Sequence, residues 1–132
     1  MTAPGGVSER HSHPVAEAVC AALARARVSI TTEAQCQADV MEVLSGDLPF
    51  AVSREHRLGP ADRPDFLVDG RVAVECKAKG SHGPSCLRQL ERYARHDQVE
   101  ALVLAYAGKA LAMPAEIGGK PVFVIGLGRA WL

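Results

Sequence analysis

Apolar and polar positions alternate most clearly between Arg63 and Lys79, which read RPDFLVDGRVAVECKAK. Two short runs rich in Val, Leu and Phe flank Asp69-Gly70, a turn dipeptide, and predict an antiparallel hairpin. Side chains alternate along a strand, so Val72, Val74 and Cys76 share an apolar face while Ala73, Glu75 and Lys77 share the other. Register decides whether Asp65 joins them. A two-residue turn at Asp69-Gly70 sets Asp65 opposite Val74, with its carboxylate on the wrong face. A three-residue loop, Val68-Asp69-Gly70, with Gly70 left-handed, sets Asp65 opposite Ala73 and gathers Asp65, Glu75 and Lys77; this register is the one expected.

The rest of the chain divides by the same patterning. Residues 1–13 lack apolar periodicity and read as a flexible tail that includes His11 and His13, and residues 14–132 read as a single domain. Pro14 suits a first helical turn, and Val15, Val19, Ala22 and Leu23 recur at helical spacing in the segment to residue 27. Thr32 and Gln35 form a capping-box signature for a second helix that closes at Gly46, with Cys36, Val40, Val43 and Leu44 as its apolar stripe. Residues 50–58 predict a strand and GPADRP the loop into the hairpin. A third helix begins at Pro84 or Ser85 and runs to Arg95, with Leu87, Leu90 and Ala94 turned inward. Residues 99–106 and 121–127 are apolar runs of strand length, expected to be buried on both faces, with a loop or short helix between them. The element order is α-α-β-β-β-α-β-x-β, an α/β chain.

Composition narrows the class. The 132 residues, 48% hydrophobic and 23% charged, suit one soluble domain, with no apolar run long enough to span a bilayer and no signal-peptide pattern at the start. Cys20, Cys36, Cys76 and Cys86 form no CxxC pair, which argues against a zinc ribbon or a disulfide framework and for reduced thiols in a cytoplasmic protein. Net charge is zero, yet its distribution is uneven. Residues 71–96 hold Arg71, Lys77, Lys79, Arg88, Arg92 and Arg95 against Glu75 and Glu91, six against two, a local balance of +4 around the candidate site. Lys79, Arg88, Arg92 and Arg95 are therefore candidate contacts to a phosphate backbone.

Two carboxylates beside a lysine suit a hard divalent cation such as Mg²⁺. Asp65 and Glu75 would hold the ion, and Lys77 would orient water or neutralise developing charge as a bound phosphodiester is hydrolysed.

Pro64-Asp65 followed across a strand, turn and strand by Glu75-Cys76-Lys77 resembles the pattern of the PD-(D/E)XK nuclease superfamily. The resemblance implies a restriction-endonuclease-like core, similar to the Holliday-junction-resolvase-like members, with a mixed central sheet flanked by helices. It implies a Mg²⁺-dependent deoxyribonuclease, with Mn²⁺ able to substitute. A helix glutamate often joins the metal site in that family, a place matched by Glu33, with Glu55 as the rival; an acid in a first helical turn also suits the helix dipole on its own account. Gln89-x-x-x-Tyr93 resembles a motif of the exonuclease-like branch, on the helix that faces the site.

The expected function is an endonuclease on DNA, of branched-junction or repair type, with RNA and exonuclease action left open. The alternative is a catalytically silent module of the same fold that binds nucleic acid or protein. A homodimer is expected, because one such site cuts one strand, and the apolar strands together with Trp131 offer surface for an interface.

Overall fold

The computed structural model describes residues 12–77, 80–108 and 111–127. Helix α1, Pro14–Arg25, opens on Pro14, where the missing N–H leaves no bond unmade. His13 caps it, its Nδ1 accepting from the Ala16 amide at 3.3 Å while Nε2 meets Glu100 at 3.0 Å. His13 thus belongs to the folded domain and not to a tail. Val15, Ala16, Val19, Ala22 and Leu23 are buried along one face.

Helix α2, Glu33–Asp47, begins where Thr32 Oγ1 accepts the Gln35 amide at 3.2 Å. Only half of the capping box forms, because the Gln35 side chain turns instead to Asp39 at 2.8 Å. Cys36, Val40 and Leu44 face inward, with Val43 partly buried beside them.

Six strands follow: β1 Val52–Arg54, β2 Phe66–Val68, β3 Val72–Lys77, β4 Ala101–Tyr106, β5 Glu116–Ile117 and β6 Lys120–Gly126. Their spatial order is β1-β2-β3-β4-β6-β5. The first three form an antiparallel meander; β3, β4 and β6 run parallel; β5 closes the far edge antiparallel to β6. Helix α3, Gly83–Ala94, makes the crossover between the parallel pair β3 and β4. The result is a mixed sheet between two helical layers. On one face α1 and α2 pack with Phe66, Val68, Val72, Val74 and Cys76, and on the other α3 packs through Leu90, Tyr93 and Ala94 on Ala73, Leu102 and Leu104. Each fully buried Leu or Phe among these contributes about 1.5–3 kcal/mol of transfer free energy.

The hairpin register differs from the expected one by one pair. Val68 lies opposite Val72, so the loop is Asp69-Gly70-Arg71 and the register, continued, sets Asp65 across from Glu75 instead of Ala73. Both Asp69 and Gly70 take positive φ, 55° and 68°, and the Arg71 amide closes the turn on the Val68 carbonyl at 3.1 Å. Parity is kept, but Asp65 precedes β2, and its side chain is set by the contacts it makes at the strand end.

Three further expectations change. The first strand is shorter, Val52–Arg54: Glu55 adopts φ 51° immediately after it, its amide making a last bond across to the Asp65 carbonyl at 2.9 Å. Of the segment expected as a loop or short helix before β6, residues 111–115 are loop, and a short hairpin follows, turned at Gly118-Gly119 with φ 59° and 79°. Strand β4 is buried at every position, whereas β6 is only half-buried, with Val124 exposed. Trp131 and Lys79 lie outside the described residues.

Candidate functional site

Glu75 and Lys77 lie within the last three positions of β3, where the parallel strands end and the face opens toward α3. Open α/β sheets commonly bind ligands beyond the carboxyl ends of their strands. Glu75 is the one buried charged residue among those described, at 4% exposure. A solvated surface charge pair with Lys77 does not describe it.

Its partners come from three directions. Tyr93 of α3 donates its hydroxyl to Glu75 Oε1 at 3.0 Å, the Asp65 amide donates to the same oxygen at 3.3 Å, and Lys77 Nζ lies 3.4 Å from Oε2. Burial, together with the neighbouring Asp65 carboxylate, pushes the Glu75 carboxyl up to about 7, against the opposing pull of Lys77 and Tyr93. Burial likewise raises Asp65, opposed by the Cys76 amide and Lys77. The Tyr93 hydroxyl is held protonated, well above its ordinary range, by burial and by Glu75.

Asp65 is fixed at both oxygens. Oδ2 accepts the Cys76 amide at 2.7 Å, and Oδ1 accepts Gln37 Nε2 at 3.1 Å. Gln37 comes from α2, the opposite helical layer, and its Oε1 accepts from Arg54 of β1 at 3.3 Å. Sequence reasoning missed both Gln37 and Arg54. A signal was present for the first, since Gln37 follows Glu33 by one helical turn and shares its face.

The last turn of α3 holds the chain that leads into Asp65. Asp62 binds Arg92 at 3.1 Å and His96 at 2.8 Å, and these two partners lower its carboxyl, His96 foremost. The Tyr93 hydroxyl also reaches the Arg63 carbonyl at 3.4 Å. Arg92 therefore serves an internal ion pair. Arg95 lines an open cavity of about 550 Å³ with Glu91, Asp97 and Lys120, none of which contacts the carboxylates. Arg88 is exposed and donates to Ser85 Oγ at 3.3 Å.

Of the residues singled out from sequence, Asp65, Glu75, Lys77 and Tyr93 come together, and Gln89 acts on the Tyr93 hydroxyl against the rise of its pKa. Glu33 stands exposed at the start of α2; its charge raises Asp65, ahead of that of Glu55, whose carboxylate pairs with Arg63 at 4.0 Å. Among the described residues no group of three or more His, Cys, Asp and Glu side chains is gathered to hold a metal. The carboxylates of Asp65 and Glu75 remain as neighbours at the end of β3, and the pair fits Mg²⁺, which usually takes one or two protein carboxylates and keeps several waters. The fit is also electrostatic, since the Asp65 charge that raises Glu75 is one that a divalent cation would offset.

Among the described residues no helix is long and apolar enough to cross a membrane. Comparisons of the chain with protein-family models, with curated proteins and with solved structures return no match.

Proposed function

We propose that this protein is a metal-dependent nuclease of PD-(D/E)XK type, hydrolysing phosphodiester bonds in DNA. The observation that carries the reading is the convergence of Asp65, Glu75 and Lys77 at the end of β3, with Glu75 buried. The antiparallel meander, the α3 crossover to a parallel β4 and the Gln89 and Tyr93 pair on α3 support the same assignment.

In this mechanism Asp65 and Glu75 would hold Mg²⁺, or Mn²⁺ in its place. When bound, the ion supplies positive charge for the scissile phosphate and acidity for water. Tyr93 keeps Glu75 Oε1 turned toward Asp65, and the Cys76 amide keeps Asp65 Oδ2 in place. Lys77, with 20% of its side chain exposed, stands at the rim and offsets the negative charge that grows on the phosphate oxygens. Exposed Arg88 and Arg54 flank this region and suit a polyanionic strand. A two-fold pair of chains, one site for each strand, completes the proposal.

A second reading has one observation in its favour: an amide, Gln37, and not a third carboxylate, meets Asp65 from α2. On that reading the chain binds nucleic acid or protein without cutting. Cleavage of single-stranded, duplex, flapped and four-way DNA with added Mg²⁺ tests the two. Cleavage that is lost in folded Asp65→Ala and Glu75→Ala proteins is the expected result; folded mutants that cut at the wild-type rate would remove the nuclease reading.

A further inference from the structure

Gln37 joins two groups that belong to different parts of the fold. Its Nε2 donates to Asp65 Oδ1 at 3.1 Å, a contact between residues 28 apart, and its Oε1 accepts from the Arg54 guanidinium at 3.3 Å. The orientation of the amide is dictated by these neighbours. Turned over, the carbonyl would face the Asp65 carboxylate and the NH₂ group would face the guanidinium, so that both contacts become repulsive. A single planar side chain thus donates to an anion and accepts from a cation, which neither Glu nor Lys at this position could do.

The Asp65 carboxylate has two oxygens, and the Cys76 amide anchors Oδ2 at 2.7 Å. A backbone bond to one oxygen leaves the carboxylate plane free to rotate about that contact. The Gln37 bond to Oδ1 removes the rotation and leaves the remaining lone pairs of both oxygens in a fixed direction. Arg54 is exposed on the edge strand, and its guanidinium, steered by Gln37, keeps further N–H donors for a phosphate.

Resting on the nuclease reading, we propose that Gln37 is a positioning residue: it sets the metal-holding carboxylate of Asp65 and a phosphate-binding Arg54 as one unit, so that the scissile strand is registered against the metal position. Partners that hold the ligands of a metal commonly change its affinity by 10–100-fold when mutated. Arg54 by itself acts on the strand and not on the ion.

The test is a double-mutant cycle of Gln37→Met and Arg54→Met in the full chain, with Mg²⁺ alone titrated calorimetrically and kcat and KM measured for DNA cleavage. Gln37→Met is expected to weaken Mg²⁺ binding about 10-fold or more, to lower kcat and to raise KM. Arg54→Met should raise KM while leaving Mg²⁺ affinity in place. The double mutant should show a KM no higher than that of Gln37→Met, because the two residues act through one contact. Gln37→Leu repeats the measurement if the Met protein melts early.

Unchanged Mg²⁺ affinity in a folded Gln37 mutant, or KM effects that multiply, overturns the inference and leaves the nuclease reading standing. A wild-type chain that neither binds Mg²⁺ nor cuts DNA overturns both.

Discussion

Glu75 is a carboxyl at 4% exposure beside a second carboxyl, and the cost of charging it is a property of the folded state. Its folded value of about 7 exceeds the unfolded value of 4.5, so between these the folded chain holds a proton that the unfolded chain has lost. The contribution of Glu75 to the stability of the metal-free protein is therefore fully present below about pH 4.5 and is lost as pH rises through 7, by an amount on the order of 3 kcal/mol. Thermal melts across this window should show the fall, Glu75→Gln should flatten it, and Mg²⁺ should raise the melting temperature more at pH 8 than at pH 5. Lys77 makes a different kind of contribution. It is one cation among several near the site but the one paired with Glu75, so Lys77→Ala should reduce kcat well beyond its effect on DNA binding. Equal losses in turnover and in filter-binding affinity would count against this role.

At the scale of elements, α2 carries Gln37 to the site and depends on Thr32 for its first turn. Thr32→Ala should cost about 1 kcal/mol of stability, seen as a lower midpoint in urea. Helix boundaries were legible because Pro14, Thr32 and Pro84 are local signals that tertiary packing did not override. That Glu75 and Lys77 share a side of β3 was legible as well, since it needs only the alternation of one strand, whereas the Asp65 carboxylate reaches across to Gln37 of α2. The register itself was not. Loops of Val68-Asp69-Gly70 and Asp69-Gly70-Arg71 leave the same alternation, and the choice falls to the Arg71 amide bond with Val68 and the packing of Val68 against Val72. Gly118-Gly119 was a readable hairpin signal that went unused because the residues before it show no alternation. Gln37 offered only its one-turn spacing from Glu33 as a signal, and its meaning comes from a contact 28 residues away.

For the whole molecule, the apolar excess expected on the last strands is largely covered. Helix α1 packs over one face of β6, where Phe123 and Ile125 are partly buried, and Val124 is left 40% exposed. The proposed two-fold pair should give a dimer mass by light scattering at micromolar concentration, and Val124→Glu should shift it toward monomer if that strand lies in the contact. A monomer mass with and without DNA would favour a nicking or end-processing enzyme. The hydrogen bonds of the site span 10, 11, 18 and 28 residues and draw on α2, the segment before β2, β3 and α3. Contacts so far apart in sequence are entropically costly to close and form after local turns and helices. A growing or half-folded chain can therefore display its Glu-x-Lys strand without any carboxylate set against it. On the proposed nuclease reading, the capacity to cut is the last property such a chain acquires, and the first that local unfolding of either helical layer takes away.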